Sequence, residues 1–168
     1  MIVRQEQQED KDGIFELNAL AFGQEEEGHI VNKIREGENF LPELSLVLAH
    51  GDKIVGHLLF SKAKINSDQE YETLVLAPMA ITPNFQRKGM GSLLLREGLR
   101  TAKKMGFQSI FVLGHPEYYP KFGFKKASTW KIKCPFEAPD DAFMALELVE
   151  DALNNKKGIV EYDVAFQK

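Results

Sequence analysis

A strand–turn–helix–strand succession over residues 73–113 constrains the fold of this chain more than any other stretch of its sequence. Apolar runs at residues 73–81 and 108–113 indicate strands, and residues 89–105 carry leucines at helical spacing. Two strands joined through one helix lie parallel in the same sheet. Because ligands of such sheets settle beyond the carboxyl ends of the strands, we expect Ile81 and the segments 86–92 and 114–119 at one end of the molecule.

The remaining pattern predicts an α/β fold with one mixed sheet. Two β-rich runs at residues 44–49 and 54–60 flank a turn at residues 50–53 and indicate an antiparallel hairpin. The other predicted elements are a strand over Ile2–Gln5, helices over residues 8–22 and Glu26–Arg35, and late strands over residues 130–133, 143–148 and 158–162. No repeat or linker divides the chain, so we expect a single domain over residues 1–168.

Charge and cysteine content exclude several classes of protein. The formal net charge is −4, without the basic excess of a general nucleic-acid binder. Cys134 is the single cysteine and suits a reducing compartment. The apolar run at residues 74–81 is interrupted by Pro78 and too short to span a bilayer, and the first residues lack a signal-peptide pattern. We expect a cytoplasmic protein that binds no nucleic acid and no membrane. No metal is expected, because the histidines show no ligand spacing.

The turn before the predicted helix consists of Gln86, Arg87, Lys88, Gly89, Met90, Gly91 and Ser92. A helix start leaves amides without partners and carries the positive end of the dipole, so phosphates bind there. The two glycines let the backbone approach an anion, and Arg87 and Lys88 add positive charge. Glycines before a helix also occur where they only tighten a turn. A P-loop is excluded because Gly-Lys-Ser/Thr is absent, and a dinucleotide site is disfavoured because no acidic residue follows at the usual strand end.

Two segments give the chain a resemblance to a known family. Gln86-x-x-Gly89-x-Gly91, with Ile81-x-Pro83 before it and Ser92-x-Leu94 after it, resembles the acetyl-CoA-binding motif of the GCN5-related N-acetyltransferases (GNAT). Tyr119-x-x-x-Gly123-Phe124 resembles the Tyr-x-x-x-Gly-Phe element of that family. Segments 79–81 and 114–119 are similar to those of its YhbS-like branch, and the order of elements matches along essentially the whole chain.

The resemblance implies acetyl-CoA as cosubstrate, with residues 86–92 on its pyrophosphate. It also implies that the two parallel strands splay apart at the cofactor site and that pantetheine bonds to the backbone of Met79, Ala80 and Ile81, as an added strand would. Pro78 fits a bulge or interruption there, since proline cannot donate to a ladder. The alternative is that Pro78 only marks an edge, but an apolar strand that leads into a crossover is rarely an edge. The chain would then be one acetyltransferase domain, with strands from about residue 125 completing the acceptor side.

The resemblance assigns a catalytic role as well. Tyr119 matches a tyrosine that in many members protonates the CoA sulfur; alternatively it only packs or bonds to the cofactor. His115 and Glu117 are candidate bases for the amine proton, and a chain of water molecules is a third option. The acidic run at residues 25–27 either shapes the acceptor site or is a solvated helix start that complements the dipole.

We therefore expect an N-acetyltransferase that moves an acetyl group from acetyl-CoA to a primary amine of an unidentified acceptor by direct transfer in a ternary complex. A non-catalytic acyl-CoA-binding sensor or interaction module is the alternative, since it needs residues 86–92 but not Tyr119. Transfer of a longer acyl chain, or to a hydroxyl, would need a wider gap beyond Ile81. Members of the family often pair through their late strands, so a homodimer is a further expectation.

Overall fold

The structure is a computed structural model that describes residues 1–167. Its helices are α1 (Lys11–Phe22), α2 (Glu26–Arg35) and α3 (Met90–Lys104). Its strands are β1 (Ile2–Gln5), β2 (Ser45–His50), β3 (Lys53–Asn66), β4 (Glu70–Ile81), β5 (Ser109–Leu113), β6 (Lys125–Lys126), β7 (Ile132–Lys133), β8 (Phe143–Glu147) and β9 (Gly158–Glu161). Along the open sheet the hydrogen-bonded order is β1-β2-β3-β4-β5-β8-β6, and β9 pairs with β3 and β7.

The chain divides into two compact units, and strands β3 and β4 contribute residues to both. The first unit comprises residues 1–61 and 77–102. In it β2 is antiparallel to β1 on one side and to β3 on the other. Helix α3 comes close to β3 at Gly98, where a Cβ would lie 2.8 Å from a ring carbon of Phe60. The aliphatic side chains between them, including Leu58 and Leu94, are fully buried.

The second unit comprises residues 62–76 and those from 103 onward. Strands β4 and β5 are parallel there, with Leu74 opposite Ile110 and Leu76 opposite Val112. On its other side β5 is antiparallel to β8 along its whole length, and β8 also pairs with β6. Phe111 is fully buried against Phe143 at a ring distance of 5.5 Å, inside the apolar core of this unit.

The predicted mixed sheet is confirmed, with antiparallel early strands and a parallel pair joined through α3. Strand β3 runs six residues beyond its predicted end at residue 60, because its extension pairs with β9. The strand predicted over residues 130–133 is wrong in its first half, since Ala127–Trp130 is a 3₁₀ helix and Lys131 is left-handed with φ 58°. Strand β6 was not anticipated, because two lysines carry no strand pattern. Leu93, predicted on the apolar stripe of α3, is 44% exposed.

Candidate functional site

The turn between β4 and α3 holds two residues in the left-handed backbone region. Arg87 has φ 63° and Gly89 has φ 81°, and α3 begins at the next residue, Met90. A Cβ on Gly89 would meet no atom within 4 Å. The glycine is therefore required by the backbone conformation and not by close packing. A left-handed arginine is uncommon outside turns and functional sites.

The backbone amides of this turn are available to a ligand. Within the described residues, the N–H groups of Arg87, Lys88, Gly89, Met90 and Gly91 have no backbone acceptor at ordinary hydrogen-bond distance and angle. At the helix start the Leu93 amide donates to the Gly89 carbonyl at 3.1 Å. The turn thus carries free donors at the positive end of a helix of 15 residues. With the exposed cations Arg87 and Lys88 beside them, these donors fit a pyrophosphate.

Gln86 shapes the turn through its side chain. Its Nε2 donates to the carbonyl oxygen of Ile81, the last residue of β4, at 2.9 Å. The amide of Thr82 donates to the carbonyl of Val55 on β3 at 2.9 Å, which ties the same point to the sheet. The predicted cofactor-binding residue Gln86 therefore bridges the strand end and the turn, so we expect it to act on the cofactor by holding the free amides in place.

Strand β4 changes its pairing at Pro78. The parallel ladder with β5 ends at Leu76, and the next peptide bond, Ala77–Pro78, is cis. The strand nevertheless continues to Ile81. An interruption at Pro78 was expected, and it takes the form of the end of the ladder. Strand β4 as a whole lies between β3 and β5 in the sheet order, but Pro78 comes after the last residue that pairs with β5. Beyond it, Met79 and Ile81 are half-buried and Ala80 is buried.

In the second unit, Tyr119 opens a 3₁₀ helix that follows β5. Its side chain is buried, at 7% exposure, with ring contacts to Tyr118 at 5.1 Å and to Phe124 at 5.5 Å. Burial, with a smaller contribution from Tyr118, raises the pKa of Tyr119 to about 12. The hydroxyl bonds to no described residue and is not among the enclosed polar atoms, so it reaches the surface. Tyr119 is therefore a protonated phenol with its donor available at neutral pH.

His115 and Glu117, the predicted bases, lie on the turn between β5 and that 3₁₀ helix and are exposed. The backbone amide of Tyr118 donates to the His115 carbonyl at 3.2 Å, which closes the turn. Neither side chain forms a hydrogen bond with a described residue, so both are available to a substrate.

The acidic run at residues 25–27 lies at the start of α2, where Gln24 donates to Glu26 and Glu27. That arrangement fits the solvated helix start.

A buried polar network in the first unit was not anticipated from the sequence. His57 Nε2 lies 3.1 Å from Ser45 Oγ, and Ser45 donates in turn to a carboxylate oxygen of Glu6. Arg35 pairs with Glu6 at 3.0 Å. Because Ser45 donates to Glu6, it accepts from His57, which places the imidazole proton on Nε2. Complete burial, with Arg35 as a smaller cause, lowers the pKa of His57 to about 3, so the ring is neutral.

This neutral histidine predicts an acid-sensitive fold. In the unfolded chain His57 takes up a proton near its ordinary pKa of 6.5, whereas in the folded chain it does so only near 3. Above pH 6.5 the protonation of His57 therefore takes nothing from the free energy of unfolding. Below it, that free energy falls by about 1.4 kcal/mol per pH unit as the pH drops toward 3. Replacing His57 by glutamine should remove that slope. Urea unfolding at pH 7.0, 5.5 and 4.5 measures it.

The matched control for this experiment is His29→Gln, since His29 is exposed on α2. It leaves His57 in place and should therefore keep the loss of stability between pH 6.5 and 4.5. An acid limb in His57→Gln as steep as that of the control would contradict the assignment of the lost stability to His57.

Other features of the described residues add little chemistry. Cys134 is half-buried, and burial raises the pKa of its thiol, which suits a packing residue and not a nucleophile. Within residues 1–167, no three His, Cys, Asp or Glu side chains form a group that would hold a metal ion. None of the helices in that range combines the length and apolar character needed to cross a bilayer.

Comparison with known proteins defines the class. A model of the acetyltransferase (GNAT) family matches residues 11–124, so the chain belongs to this family. Among its relatives, the uncharacterized N-acetyltransferase YhbS of Escherichia coli is 30% identical over 169 residues, covering 100% of this chain and 99% of YhbS. The uncharacterized N-acetyltransferase YjhQ of E. coli K12 is 36% identical over 134 residues, covering 79% of this chain and 74% of YjhQ.

Two crystal structures show the same fold with a cofactor bound. E. coli YhbS in complex with CoA superposes with a TM-score of 0.93 at 27% identity, covering 99% of this chain and 92% of that one. A GNAT acetyltransferase from Brucella melitensis in complex with acetyl-CoA gives a TM-score of 0.81 at 27% identity, covering 99% and 97%. The predicted GNAT fold, the likeness to YhbS and the acetyl-CoA-dependent acyltransferase class are thereby confirmed. The roles of the individual site residues stay predictions.

Proposed function

We propose that this chain transfers an acetyl group from acetyl-CoA to a primary amine by direct attack in a ternary complex. The observation that carries the proposal is the set of free amides from Arg87 to Gly91 at the start of α3. These donors and Ser92 bind the pyrophosphate, and the side chains of Arg87 and Lys88 add charge-assisted contacts. The backbone of Met79, Ala80 and Ile81 receives the pantetheine arm as an added strand.

Tyr119 acts on the departing sulfur. A phenol with a pKa of about 12 gives its proton to a free thiolate unfavourably, because an unperturbed thiol has a pKa of about 8.5. A hydrogen bond from the phenol still stabilises the charge that develops on sulfur as the thioester carbon–sulfur bond breaks. Desolvation raises the basicity of the thiolate too. We therefore assign Tyr119 to a hydrogen bond first and to proton transfer as the bond cleavage completes.

The attacking amine must be unprotonated. His115 or Glu117 takes its proton, either directly or through a water molecule, since both side chains are exposed and without protein partners.

The accessible hydroxyl of Tyr119 favours the enzyme over the sensor or interaction module, because a module that only binds acyl-CoA does not need a buried ring with a surface donor. Small amines and protein amines are the candidate acceptors.

An acceptor screen tests this proposal. Purified protein is incubated with acetyl-CoA and a panel of polyamines, amino acids, aminoglycosides and peptides, and released CoA is followed with a free-thiol reagent. Release that depends on one class of amine is the expected result. Slow thioester consumption, equal for every amine and for buffer alone, would favour the sensor.

Gln86→Ala should weaken CoA binding without abolishing it. Loss of the bond from Gln86 to Ile81 releases the turn from the strand end, and one hydrogen bond of this kind contributes about 1 kcal/mol, or roughly fivefold in affinity. Isothermal titration calorimetry with CoA measures the change. Gln69→Ala, which removes an exposed bond to Tyr71, is the matched control and should bind CoA normally; equal affinity in both variants would contradict the assigned role of Gln86.

Three wider assignments belong to the same proposal. We propose that the whole chain forms one acetyltransferase domain, with the strands from residue 125 onward serving the acceptor. We place it in the cytoplasm, where acetyl-CoA is made available and where a single free cysteine is stable. We further propose a homodimer through the late strands, which sedimentation of the purified protein would test.

A further inference from the structure

Gly114, the residue after β5, lies against the ring of Tyr119. A Cβ on Gly114 would stand 2.7 Å from Cε2 of Tyr119 and 3.5 Å from both Cδ2 and Cζ. The backbone of Gly114 is outside the left-handed region, so its conformation is open to any residue. The glycine is therefore required by the neighbouring ring and not by its own backbone.

Both partners of this contact are held in place. The amide of Gly114 donates to the Ala142 carbonyl at 2.9 Å, and Leu113 before it pairs with Phe143 in the ladder between β5 and β8. The Tyr119 ring meets Tyr118 at a ring angle of 80° and Phe124 at 64°. A side chain at position 114 would therefore displace the ring, since the glycine backbone is tied to the sheet.

We propose that Gly114 is a positioning residue for Tyr119. Its missing side chain lets the ring rest against the end of β5, and the near atoms include Cζ, which carries the hydroxyl. The placement of the donor relative to the sheet thus depends on Gly114, although Gly114 itself touches no reacting atom. This inference rests on the proposed role of Tyr119 at the sulfur.

Kinetics separate positioning from general structural damage. Gly114→Ala should lower kcat by about ten- to a hundredfold, because a shift of about 1 Å in a reacting group has effects of that size. In a Tyr119→Phe background the same substitution should lower kcat by less than about twofold, because the clash persists but the donor is gone. Gly13→Ala on α1 is the control, since its Cβ would make only an ordinary 3.7 Å contact with Ile54.

A measurement on the ring itself needs no acceptor. The chain contains four tyrosines, and uniform 3-fluorotyrosine labelling gives each a fluorine resonance. The Tyr119 signal is assigned by its absence from Tyr119→Phe. In Gly114→Ala this signal should move well outside its linewidth, while that of Tyr71, a half-buried residue of β4, stays in place.

The outcomes distinguish the contact between Gly114 and Tyr119 from the role of Tyr119 at the sulfur. Full activity in Tyr119→Phe would remove the proposed role at the sulfur, whereas the fluorine shift would still report the contact. An unmoved Tyr119 resonance together with unchanged kcat in Gly114→Ala would overturn the inference. Should Gly114→Ala fail to fold, Gly114→Ala combined with Tyr119→Ala should fold again because the ring is absent, and failure of that double variant would also overturn it.

Discussion

Replacing Gly89 by glutamate is expected to weaken CoA binding by at least about a hundredfold. A carboxylate about 5 Å from one phosphate charge, at an effective dielectric constant of about 20, is repelled by roughly 3 kcal/mol, which corresponds to a factor of about a hundred in affinity. The space around the Gly89 Cβ is open, so the new side chain can be accommodated and the loss should come from charge and from the left-handed backbone. Calorimetry with CoA measures it.

Two variants separate these causes. Gly89→Ala carries the cost of a left-handed residue without the charge and should lose far less affinity. Gly106→Glu places the same carboxylate at a glycine with φ 96° and open surroundings just after the C-terminal end of α3. It should bind CoA almost normally. Unchanged affinity in Gly89→Glu would remove the phosphate-binding turn from the proposal, and the same substitution at Gly91 provides an independent repeat.

Tyr119→Phe is expected to lower kcat by about a hundredfold or more while the affinity for CoA stays within about twofold, the range typical of a lost general acid or hydrogen-bond donor. The ring and its contacts with Tyr118 and Phe124 are preserved, so the fold should be unaffected. Steady-state kinetics with the best amine of the screen, beside calorimetry with CoA, measure both quantities.

Tyr71→Phe is the control, since it removes a hydroxyl that bonds to Asp68 at the surface. It should retain full turnover. If Tyr119→Phe behaved like the control, Tyr119 would be only a packing residue, and the hydrogen bond to the sulfur would have to come from elsewhere. If CoA affinity fell as strongly as kcat, Tyr119 would bind the cofactor without a separate role in the reaction.

The sequence predicted the central elements well because each carries a strong local signal. Helix α2 has the bounds expected from its apolar spacing, and the parallel pair follows from the apolar runs on either side of α3. The turn at residues 86–92 could be identified because two glycines, two cations and a helix start are readable in order, whereas the left-handed conformation of Arg87 has no sequence signal. All of these signals come from residues that are close together in the sequence.

What the sequence did not predict depends on distant partners. Strand β6 exists as two residues paired with β8, and no local pattern marks it. The contact between Gly114 and Tyr119 is invisible without the ring in place, although an unexplained glycine at a strand end was the available signal. The network of Glu6, Ser45 and His57 joins residues up to 51 positions apart, and its only trace was polar side chains within apolar strands.

The left-handed conformation of Arg87 has a consequence for engineering this protein. A glycine would adopt φ 63° more easily than arginine, so selection for heat resistance alone should favour Arg87→Gly. That exchange would discard the guanidinium proposed to face the cofactor. Thermal stability and activity thus compete at this position. A library screened for both at once would keep the arginine, whereas one ranked by melting temperature alone would lose it.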